Sequence, residues 1–348
     1  MIFVLKLQQQ MDEKKDFPLR EKIKQLDLLG SAILIPGVTS LLLALQWGGS
    51  LYAWYDAHIL ALLLGFACSA GLFVLSQIDR GELATIPPRI ARQRTVAASF
   101  VFSCFLLGAM FTLTYFLPLY FQTINGASAT KSGLQTLPRL LSSVIATIAG
   151  GAIVSLTGLY IPSLYLGSAL TCIGCGLLTT LSVHTSFTRV LGYQIIIGLG
   201  SGLVFQIPIV AVQAVLPLED VSIGTASVMF TQAIGGAVFV SVGQSLFANG
   251  MVRGMRVHAP RVDPYVLLTA GATEIRSVLA RLGLEAELSG VLEAYMVGLR
   301  DCFRVILVCS VLAFVTSLAF EWRSVEGKGK GVVDEEGKEK SVEMSHVT

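Results

Sequence analysis

Charges punctuate this chain rather than pattern it. Between Val96 and Phe121, 26 residues pass without a charged side chain, and Val190–Leu216 and Ser222–Ala248 are each uncharged over 27. About 20 residues at ~1.5 Å rise cross a ~30 Å hydrocarbon layer, so such runs read as membrane helices. Eight are expected, near 28–47, 59–78, 96–121, 138–157, 162–182, 190–216, 222–247 and 302–321. The predicted fold class is an all-α integral membrane bundle of about eight transmembrane helices. One stretch differs. From Ala272 to Leu299, apolar residues recur with helical rhythm (Ile275, Val278, Leu279, Leu282, then Leu288, Val291, Leu292, Tyr295). That period predicts a helix lying at the membrane surface.

Composition agrees: 53% of residues are hydrophobic and 14% charged, against about 25% charged in soluble domains. The net charge of +2 says little, and the placement of the charges says more. Six Lys or Arg precede Asp27, four (Arg80, Arg89, Arg92, Arg94) lie between the second and third runs, and five follow the eighth. The loops at the opposite ends of the early spans hold at most one each. Basic short loops stay inside, which places both termini in the cytoplasm and makes 249–298 an extracellular loop. Its five arginines run against the bias, which a loop of this length tolerates. Met1–Leu7 is too short for a signal peptide, and the Lys, Glu and Gly of Val325–Thr348 predict disorder. Six cysteines within or at the ends of apolar runs do not form a secreted disulfide framework.

Inside the spans, polar side chains collect on particular faces. Gln206 and Gln213 share one, as do Thr225 and Gln232, and Thr112, Tyr115 and Gln122 fall within about a quarter turn. An unpartnered amide in hydrocarbon costs about 2–7 kcal/mol, so these faces line a cavity or bond a neighbouring helix. Both remain open. Tyr115 and Phe205 offer apolar area to a flat ligand. Small residues at Gly198 and Gly202, and at Ala233, Ala237, Ser241 and Ser245, predict close helix contacts. Pro118, Pro138 and Pro208 predict kinks. Arg139, beside Pro138 near the outer end of its span, is explained by snorkelling or by an anionic substrate. No Asp or Glu sits mid-span. No catalytic constellation, cofactor motif or histidine metal cluster is read: Cys172-Ile-Gly-Cys175 lies mid-span, and Gly198-Leu-Gly-Ser-Gly202 lacks the strand of a nucleotide fingerprint.

Several stretches resemble the fourteen-helix drug:proton antiporter branch of the major facilitator superfamily, especially its fungal members. They are Leu26-Asp27-Leu28-Leu29-Gly30 with Leu45-Gln46-Trp47-Gly48-Gly49, then Tyr115 through Gln122, Gly192-Tyr193-Gln194, Leu216 through Thr225, and Gly235-Gly236-Ala237 through Gln244. Arg139 stands where the family usually has an apolar residue. The resemblance implies two linker helices over 27–80 and one six-helix half over 81–323, between a cytoplasmic segment 1–26 and a tail 324–348. It implies proton-driven efflux of a hydrophobic drug, toxin or secondary metabolite from a plasma membrane, with no nucleic-acid partner. The family's first six helices have no counterpart here, so the partner implied is an N-terminal six-helix half; an inactive fragment or a membrane assembly protein is the alternative. Cavity residues by this reading are Thr112, Tyr115, Gln122, Gln194, Phe205, Gln206, Gln213 and Gln232.

Overall fold

The computed structural model describes residues 27–49, 51–81, 84–271 and 274–322. The basic segment 1–26 and the tail 324–348 therefore lie outside the described residues. Asp27 starts the first helix. Its Oδ1 accepts from the Gly30 N–H at 2.8 Å, satisfying an orphan donor of α1 (Leu28–Trp47). A Cβ on Gly30 would lie 2.2 Å from Asp27 Oδ2, so this cap requires glycine there. Asp56 caps α2 (Ala57–Arg80) through the His58 N–H at 2.9 Å, and that bond leads the causes that lower its pKa.

The end of α2 folds back onto Asp27. Gln77 and Thr85 donate to Oδ2, and Arg80 Nη1 lies 3.3 Å from Oδ1. Burial alone pushes the Asp27 carboxyl up, but the bonds from Gln77, Gly30 and Thr85 and the Arg80 charge outweigh it and hold its pKa below 3.8. A short helix, α3 (Pro88–Ala91), then presents Arg89 to Asp220 in a two-pronged pair at 2.8 and 3.1 Å.

Six longer segments alternate in direction from there. They are α4 (Arg94–Thr123), α5 (Ala129–Thr157), α6 (Ile161–Leu178), the pair α7 (Phe187–Val204) and α8 (Ile207–Val215), α9 (Leu218–His258) and α12 (Leu288–Ser317). Helix α4 is central: Phe102, Leu106, Leu113, Phe116, Leu117 and Tyr120 are all buried. It packs on α9, α12, α8 and α5, whereas α1 and α2 pack on each other and reach the rest through α9. Ser245 of α9 donates to the Gly48 carbonyl at 3.1 Å across that contact.

Glycines set how close these helices come. On α7, Gly198 and Gly202 lie against the α5 backbone and Gly200 lies against α6. This is the close packing expected of Gly198-Leu-Gly-Ser-Gly202. On α9 the expectation needs correction. Ala233 and Ala237 are exposed, and the residues pressed on α4 are Gly235, over the Cys104 backbone, and Gly243, over Phe116 and Thr112. Ser241 and Ser245 are buried as expected.

Seven segments are long and apolar enough to cross a membrane among the described residues. They coincide with the first seven expected runs. The eighth falls on α12, whose Arg300, Asp301 and Arg304 interrupt its apolar stretch. That helix is nonetheless built into the bundle through buried Cys302, Phe303, Ile306, Cys309 and Ala313. The outward surface is apolar: Ile35, Leu64, Leu75, Leu141 and Ile145 are each more than 60% exposed. Such a surface suits lipid, not water.

The amphipathic stretch after Ala272 departs from its expectation. It forms α11 (Ile275–Leu282), closed by Gly283 at φ +66°, and then the first turns of α12. Ile275, Leu279, Val291 and Tyr295 are buried in the same core as Phe121 and Phe303. The apolar face covers the end of the bundle, because the protein offers a closer apolar partner than lipid. Between α9 and α11 lies α10 (Pro264–Ala270), capped by Asp263.

Candidate functional site

Proline decides where the sixth apolar run breaks. Pro208 has no N–H to donate, so the helix cannot continue through Phe205 and Gln206, and α8 restarts with Pro208 in its first turn. Pro118 and Pro138, by contrast, sit inside continuous helices. A break at mid-helix leaves terminal carbonyls of α7 without helical partners. Thr147 of α5 shares its hydroxyl proton between the Ser143 carbonyl of its own helix, at 2.8 Å, and the Gly202 carbonyl across the contact, at 3.1 Å. Close approach of α5 at Gly198 and Gly202 makes that bond possible.

Two grooves meet at this break. The first, about 510 Å³, runs between α4, α5 and α7 toward the Thr123 end of α4. Met110, Phe111, Leu140, Val144 and Phe205 give it apolar walls, and Thr114, Arg139, Ser143, Thr147 and Gln206 give it polar points. The second, about 450 Å³, continues along α5 and α8 to Gly158 and includes Val154, Val210 and Gln213. Thr147, Gly202 and Gln206 belong to both. Volumes of this size and a mainly apolar lining with a few convergent polar groups suit a drug-sized molecule. Among the described residues, no Asp or Glu lines either groove.

Among the eight candidate residues, the structure brings Phe205, Gln206 and Gln213 together here. The other five lie elsewhere. Thr112 is buried against Gly243 of α9, with its hydroxyl returned to the Gly108 carbonyl at 2.7 Å. Tyr115 is 52% exposed, its ring edge-on to Phe116 and outside both grooves. Gln122 bonds Ser132 at 3.0 Å and lines a small outer pocket of about 190 Å³ with Gly126 and Arg276. Gln194 is fully buried and donates to the Gln135 carbonyl at 3.0 Å, tying α7 to α5. Gln232 of α9 lines neither groove.

Arg139 corrects a second expectation. Helix α5 begins nine residues before Pro138, capped by Ser128, so Arg139 lies about 15 Å along it. It does not snorkel to an interface: its residue is only 7% exposed, and Nη2 donates to Thr114 Oγ1 at 2.9 Å. Ser143 and Thr147 share the face of Arg139 at four-residue spacing. Hydroxyls in a helix can bond back to carbonyls of the preceding turn, as both do here, so their type and spacing alone do not mark a groove.

No family model matches the chain. Among curated proteins it is 42% identical over 328 residues to the MFS-type efflux pump MFS1 of Trichophyton rubrum, covering 94% of this chain and 60% of that protein. It is 40% identical over 308 residues to the efflux pump roqT of Penicillium rubens, covering 88% and 56%. To the MFS-type transporter phomT of Diaporthe leptostromiformis it is 41% identical over 312 residues, covering 89% and 52%. The chain thus spans between half and two thirds of the length of these relatives. With its apolar helices in alternating direction and fungal efflux pumps as relatives along nearly its whole length, the chain belongs to the major facilitator superfamily.

Proposed function

We propose that this chain carries the substrate-contacting face of an efflux transporter for hydrophobic small molecules, such as a drug, toxin or secondary metabolite. The observation that carries this reading is the pair of grooves meeting at the α7–α8 break, apolar in their walls and polar at Thr147 and Gln206. Broken helices commonly mark binding sites in secondary transporters, because freed backbone groups are tolerated only where they line a cavity or find protein partners. The names of the curated relatives support export as the direction of transport. Alternating access then opens the grooves to one side of the membrane at a time. Because no carboxylate among the described residues lines them, this reading places proton coupling outside the groove, in a complementary six-helix half of the fourteen-helix architecture. The membrane is the plasma membrane and both termini are cytoplasmic.

The test is export from yeast cells lacking their own drug pumps, with the remaining part of the Trichophyton rubrum relative supplied as a second polypeptide. Cells expressing both should accumulate at least threefold less of the neutral dye Nile red than cells expressing either alone. Equal accumulation, with both polypeptides at the surface, contradicts the reading. In the same cells, Gln206→Leu should change the ranking of exported dyes at unchanged membrane level. Loss of protein with the ranking intact would instead make Gln206 a packing residue.

The orientation has its own check. Tyr55, in the α1–α2 loop, is 85% exposed. In intact cells Tyr55→Cys should react with a membrane-impermeant maleimide, whereas a cysteine at the exposed Arg92, Arg92→Cys, should react only after permeabilisation. The reverse pattern places the termini outside.

A further inference from the structure

Among the described residues, Arg139 is the one lining either groove that carries a full charge. Its burial leaves it poorly hydrated, and such a guanidinium in a membrane protein is normally paired with a carboxylate. No Asp or Glu among the described residues pairs with it. Nη2 bonds Thr114 Oγ1, but that hydroxyl gives its own proton to the Met110 carbonyl at 2.7 Å, so it is a neutral acceptor. Nε has no hydrogen-bond partner among the described residues. A planar guanidinium with donors to spare matches an anionic oxygen pair.

The rest of the groove fixes the shape of what would bring that anion. From Arg139 to Thr147 is eight residues of one helix face, about 12 Å. Along that length lie Leu140, Val144 and Phe205, with Thr147 and Gln206 at the far end. We infer that Arg139 makes this groove an anion-selective subsite, taking amphipathic small molecules with a carboxylate or similar acidic oxygen at one end and a flat apolar body. The inference deepens the transport reading and rests on it. The anion could also come from an acidic side chain of a complementary half, and the experiment separates the two.

The purified full chain, in nanodiscs of neutral phosphatidylcholine at pH 7, is titrated with radiolabelled 2-naphthoate and with the neutral 2-naphthalenemethanol. Naphthoate should bind at least tenfold more tightly. Arg139→Leu should abolish that preference while leaving naphthalenemethanol affinity within twofold, and Arg139→Lys should retain part of it, because a lysine keeps charge without the fork. Gel filtration of each variant reports folding, and the lysine variant keeps the test open if the leucine variant misfolds. Equal binding of the two probes by the parent chain overturns the inference and leaves the transport reading standing. So does naphthoate binding that survives Arg139→Leu. If neither probe binds, the transport groove itself is wrong. A further arm adds the remaining part of the Trichophyton rubrum relative. If the tenfold preference then disappears and Arg139→Leu weakens association of the two polypeptides, the anion is a protein carboxylate and the ligand assignment fails.

Discussion

Gly202→Ala should unfold or deplete this protein, while Gly192→Ala on the same helix should pass almost unnoticed. A Cβ at Gly202 would lie 2.3 Å from the Ser143 carbonyl and 2.7 Å from the Ala146 Cβ. Neither neighbour is the free end of a flexible side chain, so α5 and α7 would have to part. Overpacking of this kind typically costs about 1–3 kcal/mol, and here it also pulls Thr147 from the Gly202 carbonyl at the helix break. At Gly192 the added carbon meets nothing within 4 Å. Thermal unfolding in detergent should show a drop of several degrees for the first variant and less than one for the second. Equal melting temperatures would mean that α5 and α7 are not held at this distance.

The second large effect is expected at Asp27. One carboxylate caps α1, takes bonds from Gln77 and Thr85, and sits beside Arg80. Asp27→Ala removes the cap, at a cost of about 0.5–2 kcal/mol. It also leaves the Gln77 amide without this acceptor at a buried position. The α1–α2 pair touches the bundle chiefly through α9, so the damage should be local. Protease should cut within 81–87 sooner, with α4–α12 still protected.

The pH dependence follows from the direction of the shift. The folded pKa of Asp27 lies below its ordinary 3.8, so the carboxylate's contribution is complete above about pH 3.8 and is lost as pH falls through the folded value. Cleavage should therefore be flat from pH 8 to 5 and rise only in strong acid. A rise between pH 7 and 5 would assign the clamp to another group.

Apolar length was the most legible property of the sequence, because a bilayer imposes a minimum that soluble packing does not. Val96–Phe121 and Val190–Leu216 are spans by that measure alone, and α4 and α7–α8 lie there. Local chemistry was legible where one residue decides: Pro208 breaks its helix, and Gly198 and Gly202 bring α7 onto α5. Facing was not. Helical phase groups Thr112, Tyr115 and Gln122, yet it cannot say which neighbour each will meet. Thr112 turned to α9, Tyr115 to the surface and Gln122 to an outer pocket. The apolar rhythm of 275–295 gave a real helix face but not its partner, since lipid and protein core reward the same pattern. Arg139 was misplaced because Pro138 marked a false helix start. Ser128 had already capped α5 ten residues upstream of Pro138, so Arg139 is interior.

The most direct test of the groove uses a diazirine derivative of the neutral dye Nile red, photolysed on the purified chain and mapped by mass spectrometry. Adducts should fall on α5 near Val144 and Thr147 and around the break at Phe205 and Gln206, and excess Nile red should remove them. Adducts confined to the outward faces of α1, α2 or α9, or adducts that Nile red does not displace, would contradict the account.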